Sequence, residues 1–421
     1  MIEHGLRRSE SGEVVDVCIV NTCSVTDVAD QKGRQLIRRL HRENPNAVII
    51  VTGCYAQLKP QEVAGLEGVN YVVGANDKER IIDIIEDFSS ESEQRRLLSH
   101  QPADITHTTQ YVTDLATAEG RKSSEGSAFY PSRSWDDRTR CFLKVQDGCD
   151  YYCTYCTIPM ARGRSRNASV QNTAEEALNA IHEGAKEIIL TGVNIGDFGR
   201  STNESLIELL QALDQLPTNR QYRIRISSCE PNLLTNQIID FVSDSLHFAP
   251  HFHIPLQSGS DDVLRIMHRR YDTSLFAERV KHIKQRMPHA FIGVDCMVGV
   301  MGEKQQMFAD YVRFVSDLPI SQLHVFPYSE RANTKMLTMG LERVKKTEQK
   351  RRVETLLQIS KSKLEQFYMA EKGREAIVLW EGKKEQQPDG SIHMSGWTEN
   401  YVRVTAPYEK DKINTFCKIT I

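Results

Sequence analysis

Short, nearly continuous apolar runs alternate with amphipathic stretches along most of this 421-residue chain. Val14–Cys23 and Ala47–Thr52 read as buried strands, and the stretch Val28–Glu43 between them reads as a helix. A third strand at Tyr71–Gly74 and a helix at Lys78–Phe88 follow. Because β-branched runs that alternate with helices are typical of a parallel sheet covered on both faces, this pattern predicts an N-terminal α/β domain.

The same alternation becomes regular after Cys141. Helices separate six predicted strands, which are Phe142–Gln146, Glu187–Asn194, Tyr222–Ser228, His251–Gln257, Phe291–Val298 and Leu323–Tyr328. Eight such units close a full barrel, so six predict a partial (β/α)6 barrel. Catalytic groups are then expected at the carboxyl ends of its strands.

Composition changes between and after these two regions. Residues 91–135 are rich in Ser, Glu, Gln, Thr and Arg, which indicates a linker. Val344–Lys372 reads as a charged amphipathic helix, and the short β runs that follow it predict a small β-barrel. The expected segments are therefore residues 1–90, 91–135, 136–345, 346–372 and 373–421.

Overall composition limits the function. The formal charge of −3 gives no general nucleic-acid signal, so any RNA contact depends on local basic patches. The sequence has no leading apolar segment and no run of about 18 apolar residues, which predicts a cytoplasmic protein without a membrane span. Ten cysteines in such a protein favour metal or redox chemistry over a disulfide framework.

Three cysteines lie within one short segment, Cys149, Cys153 and Cys156, with the spacing C-x3-C-x2-C. Cubane iron–sulfur clusters are bound by thiolates, usually four, so three leave one iron open to a small molecule. A zinc site usually needs four ligands, and no fourth Cys or His lies in the neighbouring stretch. The spacing therefore predicts a 4Fe-4S cluster with an open iron, with buried structural thiols as the alternative.

Two further cysteines end neighbouring strands of the predicted N-terminal sheet. Cys23 ends the first strand and Cys54 ends the second. If these parallel strands are adjacent, their ends lie about 5 Å apart at one edge, where ligands bind in open α/β folds. The pair suggests a second metal site, and the alternative is two buried cysteines that pack as small apolar residues.

Several segments together resemble the radical S-adenosylmethionine (SAM) methylthiotransferases. Besides the three-cysteine motif they are Asn21–Val25, Thr52–Gln57, Ala161–Arg166, Leu190–Gly196, His253–Gly259 and Phe326–Arg331. The resemblance covers nearly the whole chain. The run after Cys156 is similar to the branch that acts on threonylcarbamoyladenosine in tRNA, the MtaB type.

The resemblance implies a flavodoxin-like N-terminal sheet, a radical SAM barrel and a C-terminal TRAM-like RNA-binding barrel. It implies SAM at the open iron of a catalytic 4Fe-4S cluster on the three motif cysteines, and a second 4Fe-4S cluster near Cys23 and Cys54. The implied partners are tRNA and an electron donor such as flavodoxin or ferredoxin. The family has three N-terminal cysteines and nothing here matches the first, so the expectation is a chain without the first βα unit and with about one cluster.

Further site residues follow from the same resemblance. Tyr155 is expected near the SAM adenine, although a packing role is the alternative. Other SAM or substrate contacts are expected at Gly192, Asn194, Gln257 and Arg331. The run Arg162, Arg164 and Arg166 suits phosphate or carboxylate recognition, with a solvated charge run as the alternative.

Other functions stay open at this point. The chain is also compatible with a methylthiotransferase for isopentenyladenosine in tRNA or for a ribosomal protein. A different radical SAM enzyme, such as a porphyrinogen oxidase, would not need the pair Cys23 and Cys54. A catalytically idle tRNA-binding protein is the alternative outside enzymes. The sequence does not give the oligomeric state.

Overall fold

The computed structural model describes residues 6–9, 12–88, 110–111, 129, 132–134 and 139–421. The chain forms two compact units, each built from separate segments. The first comprises Met1–Ser127, Tyr155–Gly163 and Ser329–Leu337, and the second comprises Ala128–Thr154, Arg164–Tyr328 and Thr338–Ile421. The predicted domain boundaries stay a prediction, and most of the linker predicted over 91–135 lies outside the described residues.

The first unit contains a parallel four-stranded sheet with the order β1-β2-β3-β4. Its strands are β1 (Val17–Thr22), β2 (Val48–Gly53), β3 (Val69–Val73) and β4 (Gln110–Tyr111). Its helices are α1 (Asp27–Glu43), α2 (Cys54–Leu58), α3 (Pro60–Ala64), α4 (residues 80–88) and α5 (Ile158–Arg162). The parallel α/β arrangement predicted for this region is confirmed.

The local sequence explains the first βα unit. Every residue of β2 is buried, as expected for an inner strand covered on both faces. Thr26 caps α1 because its side chain accepts a hydrogen bond from the Ala29 backbone nitrogen at 3.1 Å. Ile37 on the inner face of α1 is fully buried against the sheet.

The second unit contains six parallel strands in chain order. They are β6 (Arg140–Lys144), β9 (Glu187–Thr191), β10 (Arg223–Ile226), β11 (His251–Gln257), β12 (Phe291–Val298) and β13 (Gln322–Pro327). Ladders join β6, β9 and β10 and, separately, β11, β12 and β13, and single parallel bridges at Ile224–Phe248 and Ser228–His253 lie between the two sets. This is the open six-stranded arrangement that the apolar pattern predicts.

Helices and short strands complete this unit. The helices are α6 (Val170–His182), α7 (Leu206–Asp214), α8 (Asn236–Asp244), α9 (Asp261–Ile266), α10 (Thr273–Arg286), α11 (Gln305–Asp317) and α12 (Lys346–Glu371). The short strands are β5 (Ser132–Ser134), β7 (Gln146–Asp147) and β8 (Arg166–Asn167). β5 pairs antiparallel with β6 as an edge strand.

The C-terminal residues form an antiparallel sheet. Its strands are β14 (Glu375–Trp380), β15 (Glu385–Gln386), β16 (Ile392–Thr398), β17 (Arg403–Pro407) and β18 (Phe416–Thr420). β16 pairs with β14, β15 and β17, and β14 pairs with β18. Within the described part of the chain no ladder joins β17 to β18, so the predicted small β-barrel is not confirmed.

The C-terminal sheet covers the amino ends of the barrel strands. Glu187, the first residue of β9, is fully buried and lies 3.1 Å from Arg225 Nε. It also lies 2.5 Å from Arg223 Nη2. The Nη1 atoms of these arginines donate to the backbone oxygens of Ile377 and Glu399, both at 3.2 Å. Two buried cations therefore join the barrel to the sheet, and both of them pair with the carboxylate of Glu187.

None of the helices among the described residues is long and apolar enough to cross a membrane.

Candidate functional site

The loop that carries Cys149 begins after β6 and is fixed by the buried side chain of Gln146. The amide nitrogen of Gln146 donates to the Gly148 backbone oxygen at 2.8 Å. Its amide oxygen accepts hydrogen bonds from the backbone nitrogens of Val193 at 3.0 Å and Asn194 at 2.8 Å. Gln146 thus ties the start of the cysteine loop to the carboxyl end of β9.

Gly192 and Asn194 lie at this strand end, just after β9, and their cofactor contact stays a prediction. A Cβ on Gly192 would lie 2.8 Å from Ile195 and 3.0 Å from Gln146 Oε1, so no side chain fits there. Asn194 is buried and its Nδ2 donates to Asp197 Oδ2 at 3.0 Å. Asn194 Oδ1 is buried without a hydrogen-bond partner among the described residues, which leaves one acceptor for a ligand.

Cys149 and Cys153 lie in the second unit on the loop after β6. Burial raises the pKa of the Cys149 thiol to about 11. Burial also raises the pKa of the Cys153 thiol, while the positive charge of Arg269 acts in the opposite direction. Because iron binds thiolates, both sulfurs must lose their protons when they bind a cluster.

Arg269 and Glu230 surround Cys153, and the sequence patterns did not single them out. Arg269 Nη1 donates to Cys153 Sγ at 3.2 Å, and Arg269 Nη2 forms a short ion pair with Glu230 Oε2. Burial raises the pKa of the Glu230 carboxyl, and the charge of Arg269 opposes that change. The one available signal was the position of Glu230, four residues after β10, at the expected active-site end of the barrel.

Cys156 belongs to the first unit, together with α5. The Ile158 backbone nitrogen donates to Cys156 Sγ at 3.4 Å. A backbone donor of this kind stabilises a thiolate. Tyr155 is half-buried just before Cys156, and its role near the SAM adenine stays a prediction.

The sheet edge of the first unit brings Cys23 and Cys54 together. β1 and β2 pair in a register that places Thr22 opposite Gly53, and each cysteine is the first residue after its strand. Cys23 is exposed, whereas Cys54 is buried. Gly53 has a φ of 97°, and a Cβ there would lie 2.3 Å from the Thr22 backbone oxygen, so this turn requires glycine.

Arg162, predicted to bind RNA, contacts this sheet edge. It ends α5, and its Nε donates to Cys54 Sγ at 3.2 Å. Arg162 therefore contacts Cys54, a candidate cluster ligand, and the RNA-binding role of Arg162 stays a prediction. Cys18 does not join the edge, because it lies within β1 opposite Ile49.

The donor sets suit iron–sulfur clusters better than a single metal ion. No three His, Cys, Asp or Glu side chains among the described residues converge on one ion position. A cubane cluster is larger than an ion, and its thiolates lie at separate corners. The motif contains three free thiols, two of which, Cys153 and Cys156, accept hydrogen bonds, whereas the sheet edge has the free thiols of Cys23 and Cys54. Their role as cluster ligands stays a prediction.

Gln257 ends β11 at the same end of the barrel as Asn194. It has a φ of 62°, which non-glycine residues adopt rarely, and a bulge separates it from Pro255 in the pairing with β12. Tyr311 donates from its hydroxyl to the Gln257 backbone oxygen at 3.2 Å. Strained backbone of this kind concentrates at functional sites, and the cofactor contact of the Gln257 side chain stays a prediction.

Arg331 is buried in the first unit, where two carboxylates neutralise it. Its Nη1 lies 2.7 Å from Asp27 Oδ1, and its Nη2 lies 2.8 Å from Asp30 Oδ2. Arg331 Nη2 also donates to Ser24 Oγ at 2.6 Å. These contacts anchor Ser329–Leu337 to the start of α1, and the predicted contact with SAM or RNA stays a prediction.

Arg164 and Arg166 differ in accessibility. The Arg164 side chain is 68% exposed and lies 3.4 Å from Asp150 Oδ1. The Arg166 side chain is 13% exposed and lies 3.1 Å from Asp147 Oδ2. Arg164 is therefore the member of the pair that an RNA phosphate can reach most easily.

The sequence matches the family described as the Radical SAM superfamily over residues 143–315 and the Uncharacterized protein family UPF0004 over residues 1–74. A Bacillus subtilis protein named threonylcarbamoyladenosine tRNA methylthiotransferase MtaB is 34% identical over 420 residues, which cover 100% of this chain and 88% of the relative. The Thermotoga maritima protein of that name is 34% identical over 91% of this chain and 81% of its own length. A tRNA-2-methylthio-N(6)-dimethylallyladenosine synthase from Desulfitobacterium hafniense is 26% identical over 100% of this chain and 89% of its own length.

Among solved structures, the radical SAM methyltransferase TsrM from Kitasatospora setae, with cobalamin and a [4Fe-4S] cluster bound, has a similar fold. The TM-score is 0.53 at 13% identity, and the match covers 77% of this chain and 64% of that protein. At this identity the likeness shows the fold alone.

Proposed function

Since the chain belongs to the radical SAM methylthiotransferases, in the family named for threonylcarbamoyladenosine in tRNA, we propose that it adds a methylthio group to C2 of the adenine ring of N6-threonylcarbamoyladenosine next to the anticodon. Identity of 34% to enzymes of that name, over 91–100% of this chain and 81–88% of the relatives, carries the proposal. The chain is a tRNA-modifying transferase that uses SAM and iron–sulfur clusters.

Cys149, Cys153 and Cys156 are the proposed ligands of the cluster that binds SAM. Their spacing and the donors to two of the sulfurs support this assignment. When bound, the cluster supplies the electron that cleaves SAM to a 5′-deoxyadenosyl radical. Cys23 and Cys54 are proposed ligands of the second cluster. The burial of Cys153 and Cys54 suits this chemistry because a dry site protects a reactive radical from water.

The proposed SAM contacts lie at the carboxyl ends of the barrel strands. Asn194 Oδ1 is a free buried acceptor that suits the ammonium group of SAM. Gly192 lets the backbone pass close to Gln146 and Ile195, because a Cβ there would collide with both side chains. Tyr155, Gln257 and Arg331 complete the set proposed from the family resemblance.

The proposed RNA contacts are Arg162, Arg164 and Arg166 and the C-terminal sheet. Anticodon-loop bases suit this chemistry because they are unpaired and can leave the stack. Guanidinium groups bind phosphates through paired hydrogen bonds. We further propose a cytoplasmic location and an electron donor such as flavodoxin or ferredoxin.

Arg164 gives a direct test of the RNA surface. Replacement of Arg164 by alanine is expected to weaken tRNA binding a few-fold and to reduce the slope of log affinity against log salt by about 1, the amount for one phosphate contact. Filter binding at several salt concentrations measures both quantities. SAM cleavage should not change, because the Arg164 side chain is largely exposed.

The matched control for this test is Arg313→Ala. Arg313 is 70% exposed and lies 3.4 Å from Asp310, almost the same exposure and ion-pair distance as Arg164. The control variant should bind tRNA normally. Equal affinities and equal salt slopes for the two variants would remove Arg164 from the RNA surface.

Nucleoside mass spectrometry tests the proposed substrate. A bacterial strain without its own threonylcarbamoyladenosine methylthiotransferase should regain the 2-methylthio form of that nucleoside when it expresses this chain. Methylthiolated isopentenyladenosine in a strain that lacks that activity would instead assign the other tRNA branch. Absence of both products, with normal chain expression and SAM cleavage, would contradict the proposed methylthio transfer to tRNA.

A further inference from the structure

The end of α9 and the residues that follow it contact the cysteine loop within the second unit. Thr154 Oγ1 donates to the Ile266 backbone oxygen at 2.8 Å, and the Thr154 backbone nitrogen donates to the Met267 oxygen at 3.1 Å. Arg270 Nη2 donates to the Asp150 backbone oxygen at 2.8 Å. These contacts attach both ends of the loop segment 150–154 to one short stretch of chain.

Arg269 is the residue of this stretch that contacts a sulfur atom. Its Nη1 donates to Cys153 Sγ at 3.2 Å, while its Nη2 pairs with Glu230 Oε2. Its Nε donates to the Tyr271 hydroxyl at 3.1 Å. The side chain of Arg269 is only 4% exposed and that of Glu230 is 14% exposed. Solvent therefore screens this charge pair weakly.

Tyr271 fixes the position of the guanidinium from the other side. Its hydroxyl donates toward the backbone oxygens of Pro255 at 2.6 Å and Leu256 at 2.9 Å, near the end of β11. The arginine is thereby connected to two strand ends, through Glu230 after β10 and Tyr271 beside β11. A long flexible side chain with all three nitrogens occupied has little freedom to leave the sulfur.

We propose that Arg269 is a positioning residue that, with Glu230 as its counter-charge, sets the reduction potential of the cluster bound by Cys149, Cys153 and Cys156. This inference rests on the proposed ligand role of those cysteines. A hydrogen bond and a positive charge at a ligand sulfur favour the reduced cluster, because reduction adds negative charge. The carboxylate of Glu230 offsets part of that effect, so the two side chains act in opposite directions.

Two substitutions that remove one charge each should shift the potential in opposite directions. Arg269→Gln removes the cation and should lower the midpoint potential of the reconstituted cluster. Glu230→Gln keeps the donor to Cys153, removes the counter-charge and should raise the midpoint potential. We expect about a tenfold change in the reduced-to-oxidised ratio at a fixed potential, which is about 59 mV for a one-electron couple. Redox titration of the full chain without SAM, followed by electron paramagnetic resonance, measures the shift.

Arg265→Gln is the matched control, because Arg265 lies four residues away, is 74% exposed and pairs with Asp262. The midpoint potential of the cluster in this variant should equal that in the unmodified chain. Shifts of the same sign in both test variants, or no shift in Glu230→Gln, would overturn the proposal. If only the Arg269→Gln variant fails to bind a cluster, the midpoint potential of Glu230→Gln decides the test.

The redox titration and the product assay test the role of Arg269 and the proposed function separately. Opposite shifts together with SAM cleavage but without a methylthio product would contradict the proposed function and support the charge pair. A methylthio product together with unshifted potentials in both variants would support the proposed function and overturn the role of Arg269.

Discussion

Replacement of Cys153 by serine is expected to reduce the release of 5′-deoxyadenosine from SAM by more than about a hundredfold, equivalent to about 2.7 kcal/mol in the activation barrier. A serine hydroxyl is a poor substitute for a thiolate as an iron ligand, and only three motif thiols are available. Iron content and the visible absorbance of anaerobically reconstituted protein should fall together with the activity. Cys149→Ser and Cys156→Ser are expected to behave in the same way.

Cys141→Ala provides the control for these substitutions. Cys141 is fully buried in β6, where it packs against Ala180 and Ala185. It is not part of the three-cysteine motif. This variant should retain iron and SAM cleavage, with at most a modest loss of stability. Cleavage that persists at normal rates in Cys153→Ser would contradict the assignment of the motif cysteines.

Replacement of Glu187 by alanine is expected to lower the free energy of unfolding by about 3–5 kcal/mol, because two buried arginines lose the carboxylate with which both of them pair. Glu375→Ala is the control, since the pair of Glu375 and Lys418 is 67% exposed on both sides and should contribute at most about 1 kcal/mol. Chemical denaturation at neutral pH measures both. If Glu187→Ala lowers the free energy of unfolding no more than Glu375→Ala does, Glu187 does not stabilise the two buried arginines as expected.

The contribution of Glu187 should also depend on pH. Burial alone would raise the pKa of Glu187, but the charges of Arg225 and Arg223 outweigh it and lower the pKa to about 2. A group whose pKa is lower in the folded chain stabilises the fold above its unfolded value of 4.5 and loses that effect as pH falls toward 2. The difference corresponds to about 3 kcal/mol. The stabilities of the unmodified chain and of Glu187→Gln should therefore converge between about pH 4.5 and pH 2. Curves that stay parallel would contradict this assignment.

The sequence could predict the regular part of the fold because apolar periodicity follows directly from burial. Strands such as β12 and helices such as α1 are long enough to show their period. β4 and β5 have two and three residues, so they carry no usable period and depend on pairing with β3 and β6. The predicted C-terminal β-barrel stays unconfirmed, because closure depends on contacts between strands rather than on strand sequence.

The candidate site divides in the same way. The three motif cysteines are local in sequence, so their spacing carried the prediction. Arg269 lies 116 residues from Cys153 and 39 from Glu230, and only the folded barrel brings them together. The position of Arg331 near a strand end suggested a cofactor contact. In the structure it forms ion pairs with Asp27 and Asp30, which lie more than 300 residues earlier and could not be recognised as its partners from sequence.

The position of the C-terminal sheet has a consequence for how a nucleic acid can engage the second unit. The sheet lies at the amino ends of the barrel strands, whereas Cys149 and Cys153 lie at the carboxyl ends. β12 alone, with eight residues, spans about 26 Å. A polynucleotide that touches both faces must therefore extend at least that far along the side of the barrel.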